Sequence, residues 1–297
     1  MKTTPIQYAD SSCNGAMGCA GCELWNPARG VRACYAGNNT ALHAGRPGWP
    51  QSFDRPELFT HRIEEACRWS DLTGQARPAK PWLDGYPRVI FLVDEGDPFT
   101  ESLPADWLSP FLPRMGDSPH VWLLLTKRPE RMLAWVRGLA GPLPRNFWLS
   151  VSLTGPATLP RLRPFRELRQ ALPGHVLGLS VEPLLDDIRP CLLRDWRGVM
   201  AETSWVKLGG ESRQRQWPAR PCHLDWLRGV RDLFREGGSA VFVKQLGGQP
   251  VEAGQPLRLR DRDHGGDWDE WPEDLRVRDM PRRCRRRERQ GLLFDAE

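Results

Sequence analysis

The sequence predicts an α/β fold: a partial or complete TIM-like (β/α) barrel of about six to seven parallel strands, with a cysteine cluster loop near the N-terminus. Three observations predict it. Short apolar runs recur along the chain, each ending in a charged residue, Ser, Thr or Gly. Segments with helical spacing lie between them. Four of the eight cysteines, Cys13, Cys19, Cys22 and Cys34, crowd into the first 34 residues.

Taken in order, TPIQYA near residues 4 to 9 predicts a first strand, with the cysteine cluster as the loop that follows it. Residues 37–87 carry several Pro and Gly around one helix-like run, PELFTHRIEEACRWSDL, and read as an insertion or lid. RVIFLVDEGD, HVWLLLTKRP, NFWLSVSLTG, HVLGLSVEPL, SWVKLGGES and AVFVKQLGG supply six further strands. Continuous apolar runs of this length fit strands covered on both faces, as in a parallel sheet. Between them lie the candidate helices ADWLSPFLPRM, PERMLAWVRGLAG, LPRLRPFRELRQAL and HLDWLRGVRDLFREGG. In the last, Leu224, Leu227, Val230 and Phe234 recur at helical spacing, and Gly237 and Gly238 end it. The repeated strand, turn and helix make residues 1–246 a barrel, with an open doubly wound sheet as the structural alternative. From Gly247 the chain turns polar. Residues 247–281 read as an appendage packed through Trp268, Trp271 and Leu275, and residues 282–297, with RRCRRRER, as a basic flexible tail.

A chain of 297 residues, 40% hydrophobic and 27% charged, can bury a large core without disulfide staples. The N-terminus MKTTPIQYADSS has no apolar signal region, and no run of 18 apolar residues follows, so a cytoplasmic protein without membrane contact is expected. In that compartment thiols stay reduced, which directs eight cysteines toward metal chemistry. The net charge of +5 is a weak bias toward anionic partners. Zinc hydrolase, P-loop ATPase and serine esterase readings have no anchor, since H-E-x-x-H, Walker A and G-x-S-x-G motifs are all missing.

Cys13, Cys19 and Cys22 are spaced C-x5-C-x2-C, and Cys34 follows after 11 more residues. Thiolates are soft ligands for zinc or iron-sulfur centres, and spacing alone leaves both open. The strands add a second feature. Asp94, Glu95, Asp97, Thr126, Lys127, Arg128, Ser152, Ser180, Glu182, Glu211, Ser212 and Lys244 stand at or just beyond C-terminal strand ends, which in a barrel converge on the mouth that carries active sites.

The series CYA, LLLTKRPERM, NFWLSVS, LSVEPLL, VKLGGES, ARPCHLDWLRGVRD, VFVKQLGG and WPEDLRVR resembles a phage-associated domain family long labelled as of unknown function and regarded as radical S-adenosylmethionine-like. The resemblance runs from Cys13 to Pro281. It implies that three cysteines hold a [4Fe-4S] cluster whose fourth iron takes S-adenosylmethionine. One electron then cleaves the sulfonium, and a 5'-deoxyadenosyl radical removes hydrogen from substrate. The usual superfamily spacing is C-x3-C-x2-C, and relatives in the phage family carry Tyr-Ala directly after the third cysteine. Here Tyr35-Ala36 follows Cys34, after an apparent insertion of ELWNPARGVRA. Two ligand sets follow: Cys13, Cys19 and Cys22, preferred because they fit one compact loop, or a set including Cys34.

The resemblance and the chemistry of the strand-end residues together give the other residues their expected roles. Gly209, Gly210 and Glu211 are similar to the element that contacts the amino group of S-adenosylmethionine, with a tight turn and a surface Glu as the structural alternative. Thr126, Lys127 and Arg128 would bind its carboxylate or a substrate phosphate, with Asp94, Ser152, Ser180 and Lys244 as further cofactor contacts. Glu182, Lys127 and His223 are the catalytic candidates, and Lys127 paired with Glu182 is the structural alternative. The implied setting is a phage-encoded enzyme in the host cytoplasm, served by a reducing electron donor. It would rearrange an amino-acid-modified thymine in DNA or act on a free nucleotide or a peptide. The competing reading is a nucleic-acid-binding protein with a structural zinc or inert iron-sulfur site.

Overall fold

A computed structural model describes residues 3–215 and 217–281. The expected basic tail lies outside the described residues. Seven strands form one sheet in chain order: β1 (Ser11–Cys13), β2 (Val89–Leu92), β3 (Val121–Thr126), β4 (Phe147–Leu153), β5 (Leu177–Val181), β6 (Trp205–Gly209) and β7 (Ala240–Gln245). Every neighbouring pair is parallel. Helices carry each crossover: α1 (Tyr35–His43) and α2 (His61–Cys67) after β1, α3 (Leu112–Asp117) after β2, and α4 (Pro129–Arg137) after β3. Then α5 (Leu162–Ala171) follows β4, α6 (Arg189–Asp195) and α7 (Gly198–Glu202) follow β5, and α8 (Leu224–Glu236) joins β6 to β7.

The six expected apolar runs are β2 to β7, buried on both faces because side chains alternate along each strand. Ile90, Leu92, Leu124, Leu149, Val151, Leu179, Val206 and Val241 face the helices in the main core. Val89, Phe91, Leu123, Trp148, Trp205 and Phe242 face inward. On α8, Leu224, Leu227, Val230 and Phe234 are fully buried, as their spacing requires. The segment ADWLSPFLPRM is instead a 3-10 turn over Ser109–Phe111 followed by a helix of six residues, since Pro110 and Pro113 withhold amide donors from any longer helix.

The sheet curls into a half-barrel without closing. Tyr8, just before β1, donates to Glu182 beyond β5 at 3.0 Å, and its ring meets Trp205 of β6 and Phe242 of β7 edge-on. Residues 4–9 are therefore not the expected first strand; that strand is Ser11–Cys13. Their carbonyls bond to side chains rather than to a ladder: Lys80 Nζ donates to Thr4, Ile6 and Ala9 at 2.6 to 2.8 Å, and Trp82 Nε1 to Gln7 at 2.6 Å. An irregular segment satisfied in this way bridges the gap between the sheet edges.

The appendage covers the other edge. Arg278 pairs with Phe242 in an antiparallel bridge, while Val243 and Asp279 exchange backbone bonds with Val277 and Val241. The Arg278 guanidinium lies over the rings of Trp82, Trp268 and Trp271 at 4.3 to 5.3 Å. Trp271 and Leu275 are buried and Trp268 partly so. Among the described residues no helix is long and apolar enough to cross a membrane.

Candidate functional site

The loop after β1 lies across the C-terminal ends of three neighbouring strands. Beyond β2, Gly18 pairs with Gly96 in a parallel bridge. Beyond β3, Arg128 donates to Cys19 Sγ at 3.4 Å and to the Gly21 carbonyl at 2.8 Å. Beyond β4, Glu23 takes both terminal nitrogens of Arg161 at 2.9 and 3.0 Å and the Thr154 hydroxyl at 3.1 Å. Despite partial burial, the Arg161 fork and the nearby Lys127 hold the Glu23 carboxyl down at about 2. A backbone bridge and the arginines Arg128 and Arg161 beyond the strand ends thus fasten the loop.

That loop groups cysteines differently from the preferred ligand set. Cys13 is the last residue of β1; its thiol lies in the main core and donates to the Arg62 carbonyl at 3.4 Å. Burial pushes it up to about 12, and its cysteine neighbour is Cys67. Cys19 and Cys34 instead share a small apolar cluster with Trp25, Ala36 and Phe53. Burial is again the main influence on Cys34, also pushed up to about 12, with Cys22 and Cys19 adding to it. Cys19, Cys22 and Cys34 are thus electrostatic neighbours, whereas strand geometry aims Cys13 between the sheet and its helices. Helix α1 then starts at Tyr35, and Gly37 lies so close to the Trp25 ring that a Cβ there would collide with it. Among the described residues, no three His, Cys, Asp or Glu side chains converge at metal-ligand spacing. The donor chemistry of the trio nonetheless suits an iron-sulfur cluster: three soft thiols on one loop, close to the cations Lys127 and Arg128.

Lys127 has no side-chain hydrogen bond or ion pair with the described residues. Burial draws its ammonium down, but Cys22, Glu23, Cys34 and Asp97 outweigh that and hold it above its ordinary value. Its neighbours are committed to the scaffold. Thr126 donates to Asp97 at 2.7 Å, and Arg128 spends its donors on Asp97, Glu101, Cys19 and Gly21. Thr126 and Arg128, expected at the cofactor, tie the loop to β3 instead.

On the inner face, Ser152, Ser180, Lys207 and Phe242 form one register row across β4 to β7. Glu182 stands just above it, its carboxylate accepting from Tyr8 and from Ser180 at 2.8 Å and facing Lys244 at 3.2 Å. The expected alternative partner Lys127 is not the one it takes. Burial opposes its charge, but Lys244 and Lys207, together with those hydrogen bonds, keep it low. Ser152 is fully buried and its hydroxyl has no partner among the described residues. Asp94 accepts from Ser12 and Asn14, both at 2.6 Å, and its carbonyl takes the Tyr35 hydroxyl.

Two expectations fall outside this grouping. Glu211 is held by Arg220, whose side chain reaches both oxygens at 2.5 and 2.8 Å and whose amide adds a third bond. Gly209 and Gly210 allow the end of β6 to cross the chain after β7, since a Cβ on Gly210 would strike the Leu246 carbonyl. Of the two readings, the structure shows the tight turn, with a glutamate held by Arg220. His223 precedes α8 without a side-chain cap bond, pairs with Val251 in a small sheet, and its ring lies tilted against Trp226 at 4.4 Å.

Lys207, Tyr8 and the Glu23–Arg161 pair were not singled out from the sequence. Lys207 did carry a signal, a charge inside the buried run WVKLG. It donates to Ser150 at 2.9 Å, lies 4.2 Å from the Trp205 ring centre, and burial draws it down to about 7.

A seven-stranded parallel half-barrel, with polar groups along its C-terminal rim and a cysteine loop across it, defines an α/β protein with its candidate site at the strand ends. Over residues 3–293 the chain matches the family described as "protein of unknown function (DUF5131)", and it belongs to that family. No curated protein and no solved structure matches it.

Proposed function

We propose that the protein is a radical S-adenosylmethionine enzyme whose cluster is held by Cys19, Cys22 and Cys34. The observation that carries the reading is the grouping of these three thiols on a loop fastened across the ends of β2, β3 and β4, beside an uncommitted Lys127. Bound there, a [4Fe-4S] cluster with S-adenosylmethionine supplies a 5'-deoxyadenosyl radical for hydrogen abstraction. The chain's own groups then have defined tasks. Lys127 binds the carboxylate of S-adenosylmethionine or a substrate phosphate as a flexible point charge. Ser152 and Glu182 offer an acceptor-donor hydroxyl and a fixed carboxylate to ribose or to a substrate amine. The buried inner face behind them, packed with Trp148, Trp205 and Phe242, would keep water from the reacting atoms.

The proposed substrate is anionic, with an amino-acid-modified thymine in phage DNA as the leading case. The reading is tested by incubating the reconstituted protein anaerobically with S-adenosylmethionine and dithionite and measuring 5'-deoxyadenosine. Formation that requires both reductant and the three cysteines is expected. Zinc at one per chain, with S-adenosylmethionine intact, would sink this mechanism and favour the alternative of a nucleic-acid-binding protein with a structural metal.

A further inference from the structure

Behind the cysteine loop, a cleft of about 750 Å³ opens between that loop, α1 and the segment 51–54. Cys22, Trp25, Phe53, Ala28, Ala41 and Asp54 are among its lining residues, so it adjoins the thiols. Lys127, Glu182 and Lys244 take no part in it, so the cleft and the barrel mouth reach the loop separately. The segments that frame it carry Arg29, Arg32, Arg46 and Arg55, all exposed, against only Asp54 and Glu57 across residues 27–58. None of these four guanidinium groups forms a hydrogen bond or ion pair with the described residues. Elsewhere exposed arginines are commonly paired: Arg166 with Glu202, Arg194 with Asp195, Arg260 with Asp267 and Glu270. Leu42 and Leu58 add exposed apolar surface nearby.

We propose that this face docks the electron donor, an acidic one-electron carrier protein. The inference rests on the radical S-adenosylmethionine reading, because only a redox group on the thiols needs such a partner. Unpaired arginines around an apolar centre match a small, transient, electrostatically steered interface. The position matches too, because a donor seated here approaches the thiols without blocking the mouth needed by substrate. In the transfer itself one electron leaves the reduced carrier and enters the group held by the cysteines, and no covalent bond forms or breaks.

The test compares the wild-type protein with the Arg29→Glu/Arg46→Glu variant, using an acidic flavodoxin as the probe. In stopped flow, reduction of the reconstituted protein by reduced flavodoxin should slow by at least about tenfold in the variant and with added salt. Reduction by dithionite should stay the same. Equal flavodoxin rates in both proteins would overturn the proposal. A second readout, binding of the as-purified chain to immobilised flavodoxin, needs no cluster. Salt-sensitive binding lost in the variant supports the surface even if no cluster forms, in which case only the radical reading falls. Duplex DNA binding that is lost with the same arginines, with no flavodoxin binding, would assign the face to nucleic acid and sink the proposal.

Discussion

At the residue scale, an amine sealed inside a strand makes a sharp prediction about pH. The folded state holds Lys207 at about 7, against 10.5 for an unperturbed lysine, so between those values the unfolded chain binds the extra proton. Stability should therefore rise with pH across that window and carry the full burial penalty below it. Lys207→Met should be more stable than wild type by a few kcal/mol near pH 6, with the gain shrinking toward pH 10.5, as read by urea titration at several pH values. The cysteines supply a second residue-scale prediction. Cys34→Ala should lose most bound iron after reconstitution, whereas Cys13→Ala should keep it, because the Cys13 thiol faces the core. The opposite pattern would restore the ligand set favoured by spacing. Spacing alone does not separate the two sets, because Cys13 belongs to β1, where alternation decides its direction, while Cys34 returns to the loop only through the short antiparallel pair Trp25–Asn26 and Val31–Arg32.

At the element scale, the six apolar runs were legible because a parallel sheet buried on both faces leaves an unbroken apolar signature. The first strand was not. TPIQYA has the right composition, but its carbonyls are satisfied by Lys80, 71 to 76 residues away, which no local pattern displays. Lys80→Met should leave three carbonyls without this donor and destabilise the fold by about 2–4 kcal/mol in chemical denaturation. A change within experimental error would show that residues 4–9 close the half-barrel by apolar contact alone. The appendage gives a parallel case: Arg278→Ala should lower stability by about 1–2 kcal/mol, since its guanidinium lies over Trp82, Trp268 and Trp271.

At the scale of the whole molecule, the strand-end residues proved to be of two kinds that sequence could not separate. Lys127 and Ser152 have side chains without a hydrogen-bond partner among the described residues, whereas Thr126, Arg128, Glu182, Glu211 and Lys244 are occupied by partners that the fold brings to them. Arg128 reaches Cys19 from 109 positions away, and Glu23 reaches Arg161 across 138. The half-barrel therefore acts as a frame that holds one loop against three strand ends. We propose that the loop so held carries an iron-sulfur cluster open to S-adenosylmethionine. The most direct measurement is electron paramagnetic resonance of the anaerobically reconstituted, reduced protein, with and without S-adenosylmethionine. A [4Fe-4S] signal that changes when S-adenosylmethionine is added is the result expected, whereas one zinc per chain, or a cluster signal indifferent to S-adenosylmethionine, would contradict the account.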